Sequence, residues 1–125
     1  MNKIIHTDRA PAAIGPYSQA VKTGNLLFVS GQIPIDPATG VFAGEDIATQ
    51  TRQSLTNLKA IVEEAGYTLA DVVKTTVLLA NMGDFAAMNA VYADFFCDNK
   101  PARACFAVKD LPRGALVEIE AIANK

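Results

Sequence analysis

The spacing of apolar and polar positions changes several times along the chain, and each change marks an element. Lys3-Ile4-Ile5-His6-Thr7 predicts a short first strand. Residues 8–16 form a loop, because Pro11, Gly15 and Pro16 interrupt any regular period. Two strand-like runs, 17–22 and 26–31, flank Gly24-Asn25 and predict a β-hairpin. Pro34, Asp36-Pro37 and Thr39-Gly40 make 32–44 a second loop. Ile47, Leu55, Leu58, Ile61 or Val62, and Ala65 then recur at helical spacing, with Gln53, Asn57, Lys59, Glu63 and Glu64 on much of the other side. Asp46 caps this helix and Gly66 stops it. Residues 71–80, rich in Val, Thr and Leu, are apolar on both faces and predict a central strand. Phe85, Met88, Val91 or Tyr92, Phe95 and Phe96 give a second helix its core stripe, from Phe85 to about Cys97, with Asp84 as its cap and Pro101 beyond its end.

Residues 101–123 read as two strands joined by a Pro/Gly loop. In the first, Ala102, Ala104, Phe106 and Val108 alternate with Arg103, Cys105 and Ala107. In the second, Val117, Ile119, Ala121 and Ala123 alternate with Leu116, Glu118, Glu120 and Ile122. The order β-ββ-α-β-α-ββ predicts an α+β fold, a six-stranded mixed sheet with two helices on one face. The wholly apolar strand faces are expected to meet the helices. The opposite face would then gather Arg103, Cys105, Glu118 and Glu120 among apolar neighbours. Such a face is too apolar for water and too polar for a core, so a subunit interface containing a site is expected.

Composition narrows the chemistry. At 125 residues and 50% hydrophobic, the chain is expected to fold as one domain, 1–125. A net charge of -2 argues against a general nucleic-acid binder. The longest apolar runs are too short to span a bilayer, and the first residues lack a secretory signal. A cytoplasmic location with Cys97 and Cys105 reduced is therefore expected. His6 is the only histidine, so a multi-histidine metal site is impossible and a serine triad would depend on the chain's end. No P-loop or Gly-x-Gly-x-x-Gly sequence is present, and no bound metal or cofactor is expected.

Among candidate groups, Arg103 offers a planar fork for a carboxylate; its alternative is an ion pair with Glu118 or Glu120. Glu118 can serve as a general acid or base if partial burial raises its pKa, and otherwise is a solvated charge. Cys105 lacks a histidine base and reads better as a structural thiol than as a nucleophile. Tyr17 suits a hydrogen-bonding lid or an ordinary loop aromatic. Ser30-Gly31 can bring a hydroxyl and close backbone to a ligand, or simply end a strand. The residues alone stop at a small-carboxylate site.

Longer motifs go further. The runs 13–20, 29–34, Gln50-Thr51 with 57–59, 89–92 with Phe95-Phe96, 101–103 and 118–123 closely resemble the Rid (YjgF-type) family of reactive-intermediate deaminases, in order and across nearly the whole chain. The resemblance implies a chorismate-mutase-like fold and a homotrimer with interfacial sites. It implies hydrolysis of 2-aminoacrylate and 2-aminocrotonate, through 2-iminopropanoate and 2-iminobutanoate, to 2-oxo acids and ammonia. By resemblance Arg103 is the carboxylate clamp and Glu118 the acid/base for the attacking water. Tyr17 is a pocket tyrosine, Ser30 and Gly31 line the pocket, and Cys105 lines it through its backbone amide. Glu120 matches a non-catalytic position, and Asn89 a family position without an assigned role. Ala104 and Phe106 depart from the usual polar residues and are expected to point at the helices. Two alternatives remain: a 2-oxo-acid-binding regulatory module without turnover, and an RNA-directed endonuclease or translation inhibitor. A redox-activated chaperone is a third, which nothing in the sequence singles out.

Overall fold

A computed structural model describes residues 1–125. In chain order it contains β1 (Lys3–Ile5), β2 (Ala20–Thr23), β3 (Leu26–Gln32), α1 (Ile47–Glu64), β4 (Val72–Leu79), α2 (Phe85–Phe95), β5 (Ala102–Ala107) and β6 (Val117–Asn124). Short 3-10 turns occupy Leu69–Asp71, Met82–Asp84 and Pro112–Gly114. The strands form one sheet in the order β1-β2-β3-β6-β4-β5. All neighbours are antiparallel except β4 and β5, which run parallel and are joined through α2. The expected α+β architecture, with six strands and two helices, is the one observed.

Local chemistry explains the helix ends. The Asp46 carboxylate accepts the Thr49 amide at 2.9 Å and closes the start of α1. At its end Gly66 takes φ +86°, which a side chain would strain. The Gly66 and Tyr67 amides then reach the carbonyls of Glu63 and Val62, both at 3.0 Å. The second helix starts differently from expectation. Asp84 makes no side-chain cap bond; Asn81 instead accepts the Gly83 amide at 2.7 Å and opens a 3-10 turn that runs into α2. That helix ends at Phe95, two residues before the predicted end.

The core lies between the sheet and the helices. Leu55, Leu58, Ile61 and Val62 of α1 are wholly buried, with Met88 of α2, against Val77 and Leu79 of β4 and Val117 and Ile119 of β6. Asn57 departs from its expected place on the solvent side. It is buried and donates to the carbonyls of Ile33 and Ile35 at 3.3 and 2.9 Å, tying the 32–44 loop to α1. Gln50 does similar work, donating to Gly44 O at 3.0 Å and accepting the Leu116 amide at 2.8 Å. Gln19 fixes the other long loop through Thr7 and Pro11.

The register corrects one expectation that bears directly on the site. Ile5, Ala20, Val29, Ala121, Thr75 and Arg103 lie in one row across all six strands. Partners in register share a sheet face. The first five are buried beneath the helices. Arg103 is therefore the exposed end of the helix-side row, and Cys105 follows in the row of Ile119 and Val77. Ala104 and Phe106 face the other way, in the rows of Glu120 and Glu118 respectively, across Thr76 and Leu78 of β4. The face of β5 that was expected to meet the helices is the open one.

Candidate active site

Two clusters result. On the open face, Glu118 of β6 sits in register with Leu78 and Phe106. Burial pushes its carboxyl above the usual glutamate range, and the neighbouring Glu120 charge adds to the effect. The space it occupies is made by Gly31. A Cβ on residue 31 would collide with the Glu118 carboxyl oxygen. The chain accommodates this approach where the β3–β6 register shifts, between Val29 and Gln32. Ser30, inside that irregular stretch, donates its hydroxyl to Ser18 O at 2.6 Å, and its amide donates to Gln19 O at 2.9 Å. The hydroxyl proton is thus engaged within the chain, and Ser30 builds the wall that presents Gly31.

Tyr17 stands on the loop before β2, 54% exposed, its amide bonded to Gly15 O at 3.0 Å. With Gly31, Ile33, Pro112 and Arg113 it borders a groove of about 640 Å³. The groove combines apolar walls with a few polar groups, the composition typical of small-molecule sites.

The second cluster surrounds Arg103 on β5. Its Nη1 donates to Asn89 Oδ1 at 2.6 Å. Its guanidinium carbon lies 4.8 Å from the Tyr92 ring centre and 5.5 Å from that of Phe85. It forms no ion pair with Glu118 or Glu120, which lie on the other sheet face. The ion-pair alternative for Arg103 is thereby excluded within one chain. Cys105, two residues on, is half-buried, and burial pushes its thiol up while the Arg103 charge pulls the other way. With no base beside it the thiol stays protonated at neutral pH and is a poor nucleophile. His6 meets only Asp8, at 3.0 Å, on the surface.

Glu118, Gly31 and Ser30 thus come together, and Tyr17 lines the same groove as Gly31. Arg103 and Cys105 form a separate group with Asn89. Arg103 and Glu118 lie on opposite faces of strands separated by β4, about 10 Å apart across the sheet alone. The aromatic partners of Arg103 escaped sequence reasoning because Phe85 and Tyr92 fit the core stripe of α2. The available signal was Asn89, a polar residue at helical spacing within that stripe.

Over residues 7–125 the chain matches the family described as Endoribonuclease L-PSP. It is 58% identical over 125 residues to a RutC family protein of Pyrococcus horikoshii, covering 100% of this chain and 99% of the relative. It is 53% identical over 126 residues to a 2-iminobutanoate/2-iminopropanoate deaminase of Salmonella typhimurium, covering 98% of both. Among solved structures it is similar to E. coli TdcF with bound serine, with 48% identity, a TM-score of 0.95 and 98% of both chains covered.

Proposed function

This chain belongs to the Rid (YjgF-type) family, and on that footing we propose that it is a hydrolase of small 2-imino acids, releasing 2-oxo acids and ammonia. The observation that carries this reading is the state of Arg103. It is an exposed guanidinium held by an amide and two aromatic rings, with no carboxylate of its own chain to neutralise it. A small carboxylate ligand is its natural complement. The Salmonella relative is named for this activity, and the TdcF structure holds serine, itself a small carboxylate.

The reaction adds water to R–C(=NH)–COO⁻ and yields R–CO–COO⁻ and NH₃. Arg103 binds the substrate carboxylate and fixes the imine carbon. Glu118 takes a proton from the attacking water and delivers it to the departing nitrogen. Its raised pKa brings proton acceptance and return closer in energy near neutral pH. Tyr17 closes over the substrate, and the Cys105 backbone lines the site. Neither step draws on a metal or an organic cofactor.

Arg103 and Glu118 point away from each other within one chain, which supports a site shared between two copies. Arg103 and Cys105 would come from one protomer, Tyr17, Gly31 and Glu118 from its neighbour. The open sheet face, with Phe28 and Phe106 exposed, supports the same assembly. A closed homotrimer of 13.3 kDa chains weighs about 40 kDa and holds three such sites.

The test is ammonia release in an assay coupled to threonine dehydratase, with wild type beside Arg103→Ala. Wild type should accelerate release, and Arg103→Ala should abolish the acceleration. Full activity in Arg103→Ala would sink the clamp assignment. Binding of 2-oxo acids without ammonia release would favour the regulatory module. The family description favours a second reading, an RNA-directed nuclease. It faces a sequence pI of about 5.3 and a lone surface histidine. Salt-dependent RNA binding with cleavage would move the assignment there.

A further inference from the structure

The surroundings of Arg103 look like ordinary core in the sequence. Phe85, Asn89 and Tyr92 of α2 are spaced by four and three residues, so they share one stripe of the helix. All three meet the same guanidinium: the Asn89 amide oxygen at 2.6 Å, the Tyr92 ring at 4.8 Å and the Phe85 ring at 5.5 Å. Tyr92 is itself fixed. Its hydroxyl lies 2.7 Å from Thr75 Oγ1, and its ring packs on Phe96 with centroids 4.8 Å apart. Thr75 is wholly buried and is the residue in register with Arg103 on the adjoining strand. Helix and strand therefore hold the arginine through one connected set of contacts.

None of these contacts carries a negative charge. Burial raises the pKa of the Tyr92 phenol, and the Cys105 thiol is raised in the same way, so both stay neutral in the working range. The carboxylate of Asp94, also on α2, is paired with Arg52 at 3.1 Å. A flexible arginine loses rotamer freedom when it binds an anion, and prior ordering removes that loss from the binding step. An aspartate would order it equally well but would occupy the fork that the ligand needs. Aromatic faces and an amide order it and leave the charge free.

We propose that Asn89, Tyr92, Phe85 and Thr75 are positioning residues that hold Arg103 through neutral contacts, so that no carboxylate of its own chain occupies the fork that a ligand carboxylate needs. The proposal rests on the deaminase reading of Arg103.

It is tested with Asn89→Asp, Tyr92→Leu and Tyr92→Phe beside Arg103→Ala, in the coupled dehydratase assay and by calorimetric titration with 2-oxobutanoate. Asn89→Asp sets a competing carboxylate on the fork and should raise both KM and the 2-oxobutanoate Kd by about tenfold or more. Its kcat should stay within about threefold of wild type, because substrate that does bind meets the same water and the same Glu118. Tyr92→Leu should weaken binding by about tenfold, and Tyr92→Phe, which keeps the ring, should restore most of that loss. Asn89 is only half-buried, so Asn89→Asp still decides the matter if Tyr92→Leu fails to fold. A wild-type KM and Kd in Asn89→Asp, with Arg103→Ala inactive, overturns the cradle and leaves the deaminase reading standing. Full activity in Arg103→Ala overturns the deaminase reading itself.

Discussion

β5 and β6 carry the two halves of the proposed site, and they obey different rules. β6 lies inside the sheet, between β3 and β4. Its alternation is unambiguous: Val117, Ile119, Ala121 and Ala123 are buried under the helices, and Glu118, Glu120 and Ile122 face away. β5 lies at the sheet edge, and all six of its residues are exposed or half-buried. Its apolar set is Ala102, Ala104 and Phe106, two of them too small to gain much from burial. Nothing in that set outweighs the contacts Arg103 finds on α2. Alternation sets a strand's facing only where one face is paid for by burial, and at this edge Arg103, held by α2, and Cys105, packed against the core, share the helix side.

The separation of the halves can be tested by mixing. Arg103→Ala and Glu118→Gln should each lose about a thousandfold or more in kcat/KM if clamp and proton carrier are both required. Co-refolded in equal amounts, they should recover about a quarter of wild-type activity, because one intact Arg103 and one intact Glu118 from different chains then meet at a quarter of the sites. No recovery would show that each site draws both groups from one chain, against the register.

The two faces of β6 give the next largest contrast. Ile119→Ala opens a cavity under the helices and should cost about 2–5 kcal/mol in chemical denaturation. Ile122→Glu, on the open face, should leave the chain folded and shift its mass on a sizing column from that of a trimer to that of a 13.3 kDa monomer. If Ile122→Glu remains assembled, the open face is not the one that neighbouring copies cover. A smaller effect is expected at Gly31→Ala. The new methyl displaces the Glu118 carboxyl, costing about 1–3 kcal/mol of overpacking and lowering kcat by about tenfold to a hundredfold, with KM little changed.

Most elements could be read from the chain because their signals are local. The Asp46 cap, the Gly66 stop and the Leu55-Leu58-Ile61 stripe specify α1 without help from the tertiary fold. The two-sided apolar run of β4 placed it inside the sheet, as observed. Misplaced features depend on distant partners. Asn57 looks like a surface residue until the loop carbonyls of Ile33 and Ile35 arrive to accept its protons. Asp84 looks like a cap until Asn81 starts the turn earlier. For the site, motif resemblance named Arg103, Glu118, Tyr17, Ser30, Gly31 and Cys105, and the structure distributes them over two sheet faces. Only Gly31 and Glu118 are explained jointly by direct contact, a close approach that spacing does not encode.

The smallest expected effect concerns how dry the open face is. Glu118 has a pKa raised in the folded chain, first by burial and then by Glu120. The folded state therefore holds its proton more tightly than the unfolded chain does. Its contribution to stability is fully present below the ordinary glutamate value, about 4.3, and is lost as pH rises through the raised folded value. Glu118→Gln carries no such dependence. The variant should match wild type in acid apart from a constant offset and gain on it toward neutrality, by less than about 1 kcal/mol where its own chain alone shields the carboxyl and by more where a neighbouring copy covers it. Thermal melts of both proteins from pH 3.5 to 8 measure this difference. Parallel curves would mean a fully hydrated Glu118, and the acidic limb of kcat/KM would then fall at an ordinary glutamate pKa instead of above it. A gain larger than about 1 kcal/mol would mean that something covers the carboxyl in solution, and repeating the melts on Ile122→Glu would show whether a neighbouring chain is the cover.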